Sequence, residues 1–404
     1  MSTVVMLNVP GSGRMNTNFP LMAELVKRGE HVVYYGVEPN RQALEAAGVE
    51  YRGYANSQNL ISQAHQGGLF SVMTYLANAA EGLLPTLMRE LRADPPDYLL
   101  VDSMSLWGNL VQQMLKIPTI TIGTAFVTQP EIVTSEQMIA MAYQALPKEA
   151  ILQGVTLSHR YFEITQRLDR QYGTQSPSIV QAFANQQGLN ILFTSRAFHP
   201  QGEAFDEQRY KFVGPSIGER PQAMPFPYEQ LGAAPLIYVS LGTIFNEAVD
   251  FYKACFAAFE EMPYQVIMSV GEKIEIDALG EIPVNFIVRP FVPQVEILQR
   301  AALFITHGGM NSISEALLHH VPVLIVPQHG DQFLVASRVT EVGAGLMLPM
   351  AQVSSNALRG MAMQLQSDPT YQARAQAIGE SFKDGNGYIR AADEIFAYKQ
   401  TIGL

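Results

Sequence analysis

Apolar residues along this chain come in short runs separated by stretches in which they recur every three or four positions. Thr3 to Val9 is a β-branched run. Gly11-Ser12-Gly13 follows, and then Phe19, Leu21, Met22, Leu25 and Val26 keep helical spacing as far as Gly29, a helix cap before a second strand from His31 to Tyr35. Further runs at Tyr98–Val101, Pro118–Ile122 and Ile191–Thr194 lie between helical stretches at 69–92, 130–145 and 159–170. Strands that alternate with helices predict a parallel, doubly wound α/β sheet.

Residues 214 to 235 are rich in Pro and Gly and have no period, which predicts a linker over 215–235. The pattern then restarts with a strand at Leu236–Ser240, a helix near 246–260, a strand at Gln265–Val270 and strands near 286, 303 and 323. Residues 387–401 carry Ile389, Ala392, Ile395, Phe396 and Tyr398 at helical spacing. The expected plan is a first domain over 1–214, a second over 236–385, and a terminal helix over 386–404 that packs back on the first. Two Rossmann-like domains of this kind are expected to face a cleft. Ligands of open parallel sheets sit beyond the carboxyl ends of the strands. Gly11–Asn16, Asp102, Thr124, Ser240–Thr243, His307–Ser312 and Asp331 all fall at such ends.

The densest chemistry lies in 289–345. The strand Ala302–Thr306 runs into His307-Gly308-Gly309, and a helix opens at Asn311-Ser312. Its unpaired N–H groups and positive dipole end suit a phosphate. Glu315 supplies an acceptor for ribose hydroxyls, although Ser312 to Glu315 also fits a capping box. A second strand, Pro322–Val326, ends at Pro327-Gln328-His329-Gly330-Asp331-Gln332, which brings hydroxyl-binding groups beside the first site. In Ser240-Leu241-Gly242-Thr243 the glycine lets a ligand approach the backbone and the hydroxyls can donate to phosphate; an ordinary βα turn is the alternative. Phosphate donors next to hydroxyl-binding groups describe a pocket for a sugar linked to a diphosphate. Gly11-Ser12-Gly13-Arg14-Met15-Asn16 lacks the third glycine of a dinucleotide fingerprint, and Glu38 after the second strand does not complete it. Asp102 is placed either to orient a catalytic group or to cap the next helix.

Composition narrows the class. A formal charge of −11 excludes a nucleic-acid partner. Cys255 is the single cysteine, so no disulfide framework or cysteine-rich metal site forms, and the other histidines make no metal pattern. No window has the length and apolarity of a membrane span, and MSTVVMLNVP reads as a strand rather than a signal peptide, so a cytoplasmic protein is expected.

The chain resembles the family 1 glycosyltransferases of GT-B fold, within the bacterial macrolide group similar to promiscuous Bacillus enzymes that glycosylate flavonoids and other natural products. The resemblance rests on SLGTIFNE at 240–247, VPQVEIL at 292–298, THGGMNSISEAL at 306–317 and PQHGDQ at 327–332, with SRAFHPQGEAFDE at 195–207 and FVGPS at 212–216 in support. It implies inverting transfer of a hexose, glucose above others, from a UDP-sugar co-substrate to a hydroxyl of an apolar small molecule, with no metal or other cofactor. It places Val292 and Gln294 at the base, although many relatives have Trp where Val292 stands and Phe291 is an alternative platform. It gives His307, Gly309, Asn311 and Ser312 to the diphosphate with Thr243 opposite, Glu315 to the ribose, and Asp331 with Gln332 to the sugar. The first domain carries the acceptor in relatives, which points to 69–92 and 130–165 as its lining.

One position departs. Relatives carry His-Gly-His-x-Asn-Pro after the first strand, and the second histidine is the general base, oriented by a carboxylate matched here by Asp102. This chain has Ser12-Gly13-Arg14-Met15-Asn16-Thr17, so Arg14 stands at the base position. An arginine keeps its proton and cannot accept another. The reading adopted is a transferase for acidic acceptors such as phenols, with Arg14 stabilising the phenolate. The alternatives are another base, such as Asp102, the substrate itself, His65 or His199, or a catalytically impaired homologue that binds nucleotide sugar as a partner or regulator.

Overall fold

The structure, a computed structural model, describes residues 1–37, 41–54, 68–127, 148–178, 188–218, 225–243, 246–328 and 331–404. The expected helix at 130–145, together with Glu38, His65, His329 and Gly330, lies outside them. The chain divides into two compact units, one of Met1–Ser195, Gln201–Glu219 and Asn386–Leu404, the other of Arg196–Pro200 and Arg220–Gly385.

The first unit is built on seven strands: β1 (Thr3–Leu7), β2 (His31–Gly36), β3 (Glu50–Gly53), β4 (Tyr98–Asp102), β5 (Thr119–Gly123), β6 (Leu189–Leu192) and β7 (Tyr210–Phe212). They lie in the order β3-β2-β1-β4-β5-β6-β7, and every recorded pairing is parallel. Side chains alternate across the sheet. Val5, Leu7, Leu99 and Val101 pack with Leu76, Leu84 and Trp107 on one face; Val4, Met6 and Leu100 pack with Leu21, Leu25 and Ile395 on the other. Burial on both faces explains why these strands read as unbroken apolar runs. The helices are α1 (Ser12–Lys27), α2 (Arg41–Ala46), α3 (Gly68–Ala93), α4 (Leu106–Leu115) and α5 (Lys148–Tyr172).

The second unit repeats the plan with β8 (Leu236–Ser240), β9 (Gln265–Ser269), β10 (Phe286–Arg289), β11 (Ala301–Thr306), β12 (Val323–Ile325) and β13 (Gly345–Met347), in the order β10-β9-β8-β11-β12-β13. Its helices are α6 (Val249–Phe259), α7 (Gln294–Leu298), α8 (Met310–Leu318), α9 (Asp331–Glu341), α10 (Ser355–Ser367) and α11 (Pro369–Ser381). In both sheets the strand order reverses once, between β1 and β4 and between β8 and β11. A doubly wound sheet opens its ligand crevice at that reversal.

The terminal helix α12 (Gly387–Ile402) belongs to the first unit. Ala391, Ala392 and Ile395 are fully buried, Arg390 Nε donates to the Val213 carbonyl at 2.7 Å, and Arg28 pairs with Asp393 at 2.6 Å. A buried ion pair, Lys399 Nζ to Glu30 Oε1 at 2.6 Å, fastens its last turn, and Tyr98 Oη donates to the other Glu30 oxygen at 2.9 Å.

The predicted linker is not a free tether where it is described. Ser216 bridges to Asn386 and donates through Oγ to the Thr17 carbonyl at 2.7 Å within the first unit. Within the second, Gly232 N donates to Gln265 Oε1 at 2.9 Å, and Gln265 Nε2 donates to the Gln230 carbonyl at 2.8 Å. Lack of period excluded a helix or strand but not ordering by side chain–backbone bonds. Residues 196–200, expected in the first domain, belong to the second unit. Arg338 holds the carbonyls of Phe198 (2.9 Å) and Ala197 (2.8 Å), and the Phe198 ring packs edge-on against Phe382.

Candidate active site

In the first unit, Arg14 lies in the first turn of α1, which leaves β1 after Asn8-Val9-Pro10-Gly11, and Asp102 is the last residue of β4. The two side chains meet at the strand reversal, with Arg14 Nε 3.0 Å from Asp102 Oδ2. The second Asp102 oxygen accepts from Met104 N at 2.8 Å, and a terminal nitrogen of Arg14 lies 2.7 Å from Met104 Sδ. Asp102 is 1% exposed; burial raises its proton affinity above the usual carboxylate range, and Arg14 and the Met104 amide pull the other way. The helix-cap alternative for Asp102 is corrected, because α4 is capped by Ser105, whose hydroxyl accepts from Gly108 N at 3.1 Å.

A buried polar chain that the sequence did not flag fixes this end of the sheet. Asn8 Nδ2 donates to Tyr34 Oη, Asn18 Nδ2 to Asn8 Oδ1, Tyr54 Oη to the Asn8 carbonyl and Trp107 Nε1 to Tyr54 Oη. Burial pushes both tyrosine hydroxyls well above their ordinary range, so they stay protonated. The expected acceptor lining is partly corrected. Met73, Leu76, Leu83, Leu84, Leu87 and Met88 of α3 are core residues, since both faces of a parallel sheet need covering. His199 is buried in the second unit, with Nδ1 2.7 Å from the Pro200 carbonyl oxygen.

In the second unit the reversal carries His307. Thr306 and Ser240 pair in register at the ends of β11 and β8, and the next residues turn away on Gly308 (φ 89°) and Gly242 (φ 79°). The imidazole lies between two glycines. A Cβ on Gly242 would stand 2.7 Å from His307 Cε1, and one on Gly309 would stand 2.5 Å from Nε2. Burial lowers the His307 pKa to about 4, only partly opposed by its hydrogen bond to the Ser240 backbone, so the ring is neutral at neutral pH. Thr243 is exposed at the end of this turn, while Asn246 Nδ2 ties back to the Gly242 carbonyl at 2.9 Å.

The helix α8 begins directly after Gly309, which is its N-cap and makes no side-chain cap bond, so the capping-box alternative for Ser312 and Glu315 is corrected. Both residues are held instead by Gln294. Its Nε2 donates to Glu315 Oε2 at 2.8 Å and to Ser312 Oγ at 3.3 Å, and its Oε1 accepts from Tyr238 Oη at 3.1 Å. Tyr238 is the residue that sequence reasoning missed here; it reads as one more apolar position of β8. Glu315 is 4% exposed. Asn311 is half-buried in the first turn of α8. Val292 is 5% exposed and Phe291 39%.

Asp331 and Gln332 open α9. Gln332 packs beside the His307 turn, with its carbonyl oxygen 3.3 Å from where a Gly308 Cβ would stand, and its Oε1 accepts from Gln328 N at 2.9 Å. Asp331 is exposed. Among the described residues no group of three or more His, Cys, Asp or Glu is placed to hold a metal, and no helix is long and apolar enough to cross a membrane.

Comparison with known proteins agrees with this arrangement. Residues 254–383 match the model of the erythromycin biosynthesis protein CIII-like C-terminal domain. The chain is 34% identical over 407 residues to an uncharacterized UDP-glucosyltransferase, YojK, of Bacillus subtilis, covering 99% of this chain and 98% of the relative. It is 27% identical to the oleandomycin glycosyltransferase of Streptomyces antibioticus, over 98% of this chain and 90% of the other. The crystal structure of the glycosyltransferase of kitacinnamycin superimposes with a TM-score of 0.80 at 27% identity, over 98% of each chain. Two parallel Rossmann-type units and near full-length relatives converge: the chain belongs to the family 1 UDP-dependent glycosyltransferases of GT-B fold, in the group of the Bacillus and macrolide enzymes.

Proposed function

We propose that the chain transfers a hexose, glucose above others, from UDP to an acidic hydroxyl, phenolic in type, on an apolar natural product, with inversion and without a metal. Relatives named for natural products support the acceptor class. The observation that carries the rest is the Arg14–Asp102 pair, a pinned cation where relatives have a base. Arg14 lowers the proton affinity of a bound phenol and stabilises its anion, while Asp102 holds the guanidinium in place. The phenol gives its proton to solvent, the phenolate oxygen forms the bond to the anomeric carbon, and the bond from that carbon to the diphosphate oxygen breaks with its electron pair leaving on UDP.

The departing charge develops at the start of α8. In this reading the amides of Gly309 to Ser312, the Thr243 hydroxyl and the His307 ring receive it. In the free site the one ring proton is committed to Ser240. A diphosphate beside the ring raises its proton affinity above that of the free site. Asp331 and Gln332 take the sugar hydroxyls, and Phe291 takes the uracil face.

Incubation with UDP-glucose, EDTA and a panel of flavonoids, followed by mass spectrometry, tests this reading. Mono-glucosides of the phenols are expected. A protein that binds UDP and yields no glycoside would instead be a nucleotide-sugar-binding homologue, and a requirement for a divalent cation would contradict the metal-free step.

A further inference from the structure

We propose that the Arg14 site accepts apolar carboxylic acids and that the chain makes acyl glycosides from them. The inference rests on the reading of Arg14 and Asp102 as the place where the acceptor's nucleophile sits.

Among the described residues of the first unit, none stands at that place as a free proton acceptor. Asp102 is 1% exposed, and both its oxygens are taken, one by Arg14 Nε at 3.0 Å and one by Met104 N at 2.8 Å. The other titratable groups at this end of the sheet, Tyr34 and Tyr54, are buried, and burial keeps them protonated. What the site presents is the guanidinium edge of Arg14, whose side chain is 22% exposed, held at its Nε by Asp102 and at a terminal nitrogen by Met104 Sδ.

A site with a fixed cation and no base selects nucleophiles that arrive ionised. With ordinary pKa values of about 4 and about 10, a carboxylic acid is fully ionised at neutral pH and a phenol only about one part in a thousand. A planar carboxylate also matches the guanidinium fork, which a single phenolate oxygen does not. The step balances without proton transfer. A carboxylate oxygen forms the bond to the anomeric carbon, the bond from that carbon to the diphosphate oxygen breaks, and UDP leaves with the electron pair.

The test uses three acceptors that share one ring system: 2-naphthoate, 2-naphthol and 2-naphthylmethanol, each with UDP-glucose and the full chain. The expected result is an ester from 2-naphthoate, recognised by its cleavage with hydroxylamine. Its kcat/KM should be flat from about pH 6 to about pH 8, whereas that of 2-naphthol should rise about tenfold per pH unit. Arg14→His should lower ester formation by at least about tenfold and raise transfer to the alcohol, and Arg14→Lys, which keeps the charge and loses the fork, should lower ester formation by less than Arg14→His does. A naphthol glucoside without any ester overturns this inference and leaves the proposed function standing. An ester rate unchanged in Arg14→His also overturns it. No product from acid or phenol, although UDP-glucose binds, sinks the proposed function and this inference together.

Discussion

The seat of His307 between two glycines gives a prediction whose parts can be separated. Gly242→Ala imposes two penalties. Its φ of 79° is left-handed, which costs an alanine about 1–2 kcal/mol. Its Cβ would also stand 2.7 Å from His307 Cε1, so the ring must retreat by about 0.7 Å to reach ordinary contact at 3.4 Å. Gly309→Ala imposes the clash without the strain, because Gly309 has φ −62° and a Cβ there meets Nε2 at 2.5 Å. Gly280→Ala imposes the strain without the clash, since φ is 86° and nothing lies within 4 Å of the added carbon.

Misplacing a group by about 1 Å costs about a hundredfold in rate. Gly242→Ala and Gly309→Ala should therefore each lower kcat/KM for the UDP-sugar by about a hundredfold. Gly280→Ala, at φ 86° and ψ −153°, should lose about 1–3 kcal/mol of stability in urea and keep its kinetics. The assays are donor-saturation kinetics and equilibrium unfolding on the four proteins side by side. Unchanged donor kinetics in both clash variants, or an equal loss in Gly280→Ala, would refute the reasoning that the position of His307 matters to the donor.

Other expectations follow from the same geometry. The folded pKa of His307, about 4, lies below its unfolded value of 6.5, so the stabilisation it contributes is complete above the unfolded value and is lost as pH falls through the folded one. Urea titrations at about pH 7 and about pH 4 should therefore differ by on the order of 2–3 kcal/mol more in the wild type than in His307→Gln, and added UDP should move the His307 NMR titration upward. Lys399→Met leaves Glu30 buried and uncompensated, which should cost about 3–5 kcal/mol in urea unfolding, and adding Glu30→Gln should return much of it; unaltered stability in the single variant would show that the pair does not fasten α12. Gln294→Ala removes the donor that holds Ser312 and Glu315, so UDP affinity measured by calorimetry should fall about tenfold, with little change if the amide does not organise the site.

The parts of the molecule that the sequence made legible were those with a strong local signature. Central strands such as Thr3–Leu7 and Tyr98–Asp102 are buried on both faces and read as apolar runs. The edge strands Glu50–Gly53, Tyr210–Phe212 and Gly345–Met347 were not anticipated. They have three or four residues and are mostly half-exposed, so they show neither an apolar run nor an alternation long enough to register. His307, Gly309 and Gly242 declared themselves because glycines beside a histidine at a strand end have few other uses. The bridge Tyr238–Gln294–Glu315 could not be read, because 56 positions separate Tyr238 from Gln294 and 21 separate Gln294 from Glu315, so only the register of β8 with β11 brings them together. The capping-box pattern at Ser312–Glu315 misled for the same reason: a tertiary partner outbid the local one.

The central claim is that the start of α8 after His307 grips the pyrophosphate of an activated sugar. Hydrogen exchange on residues 307–312, measured for the free chain, with uridine and with UDP, tests it most directly. Slowed exchange of these amides with UDP and not with uridine is the predicted result. Equal exchange in all three samples, under conditions where UDP is shown to bind, would contradict the claim.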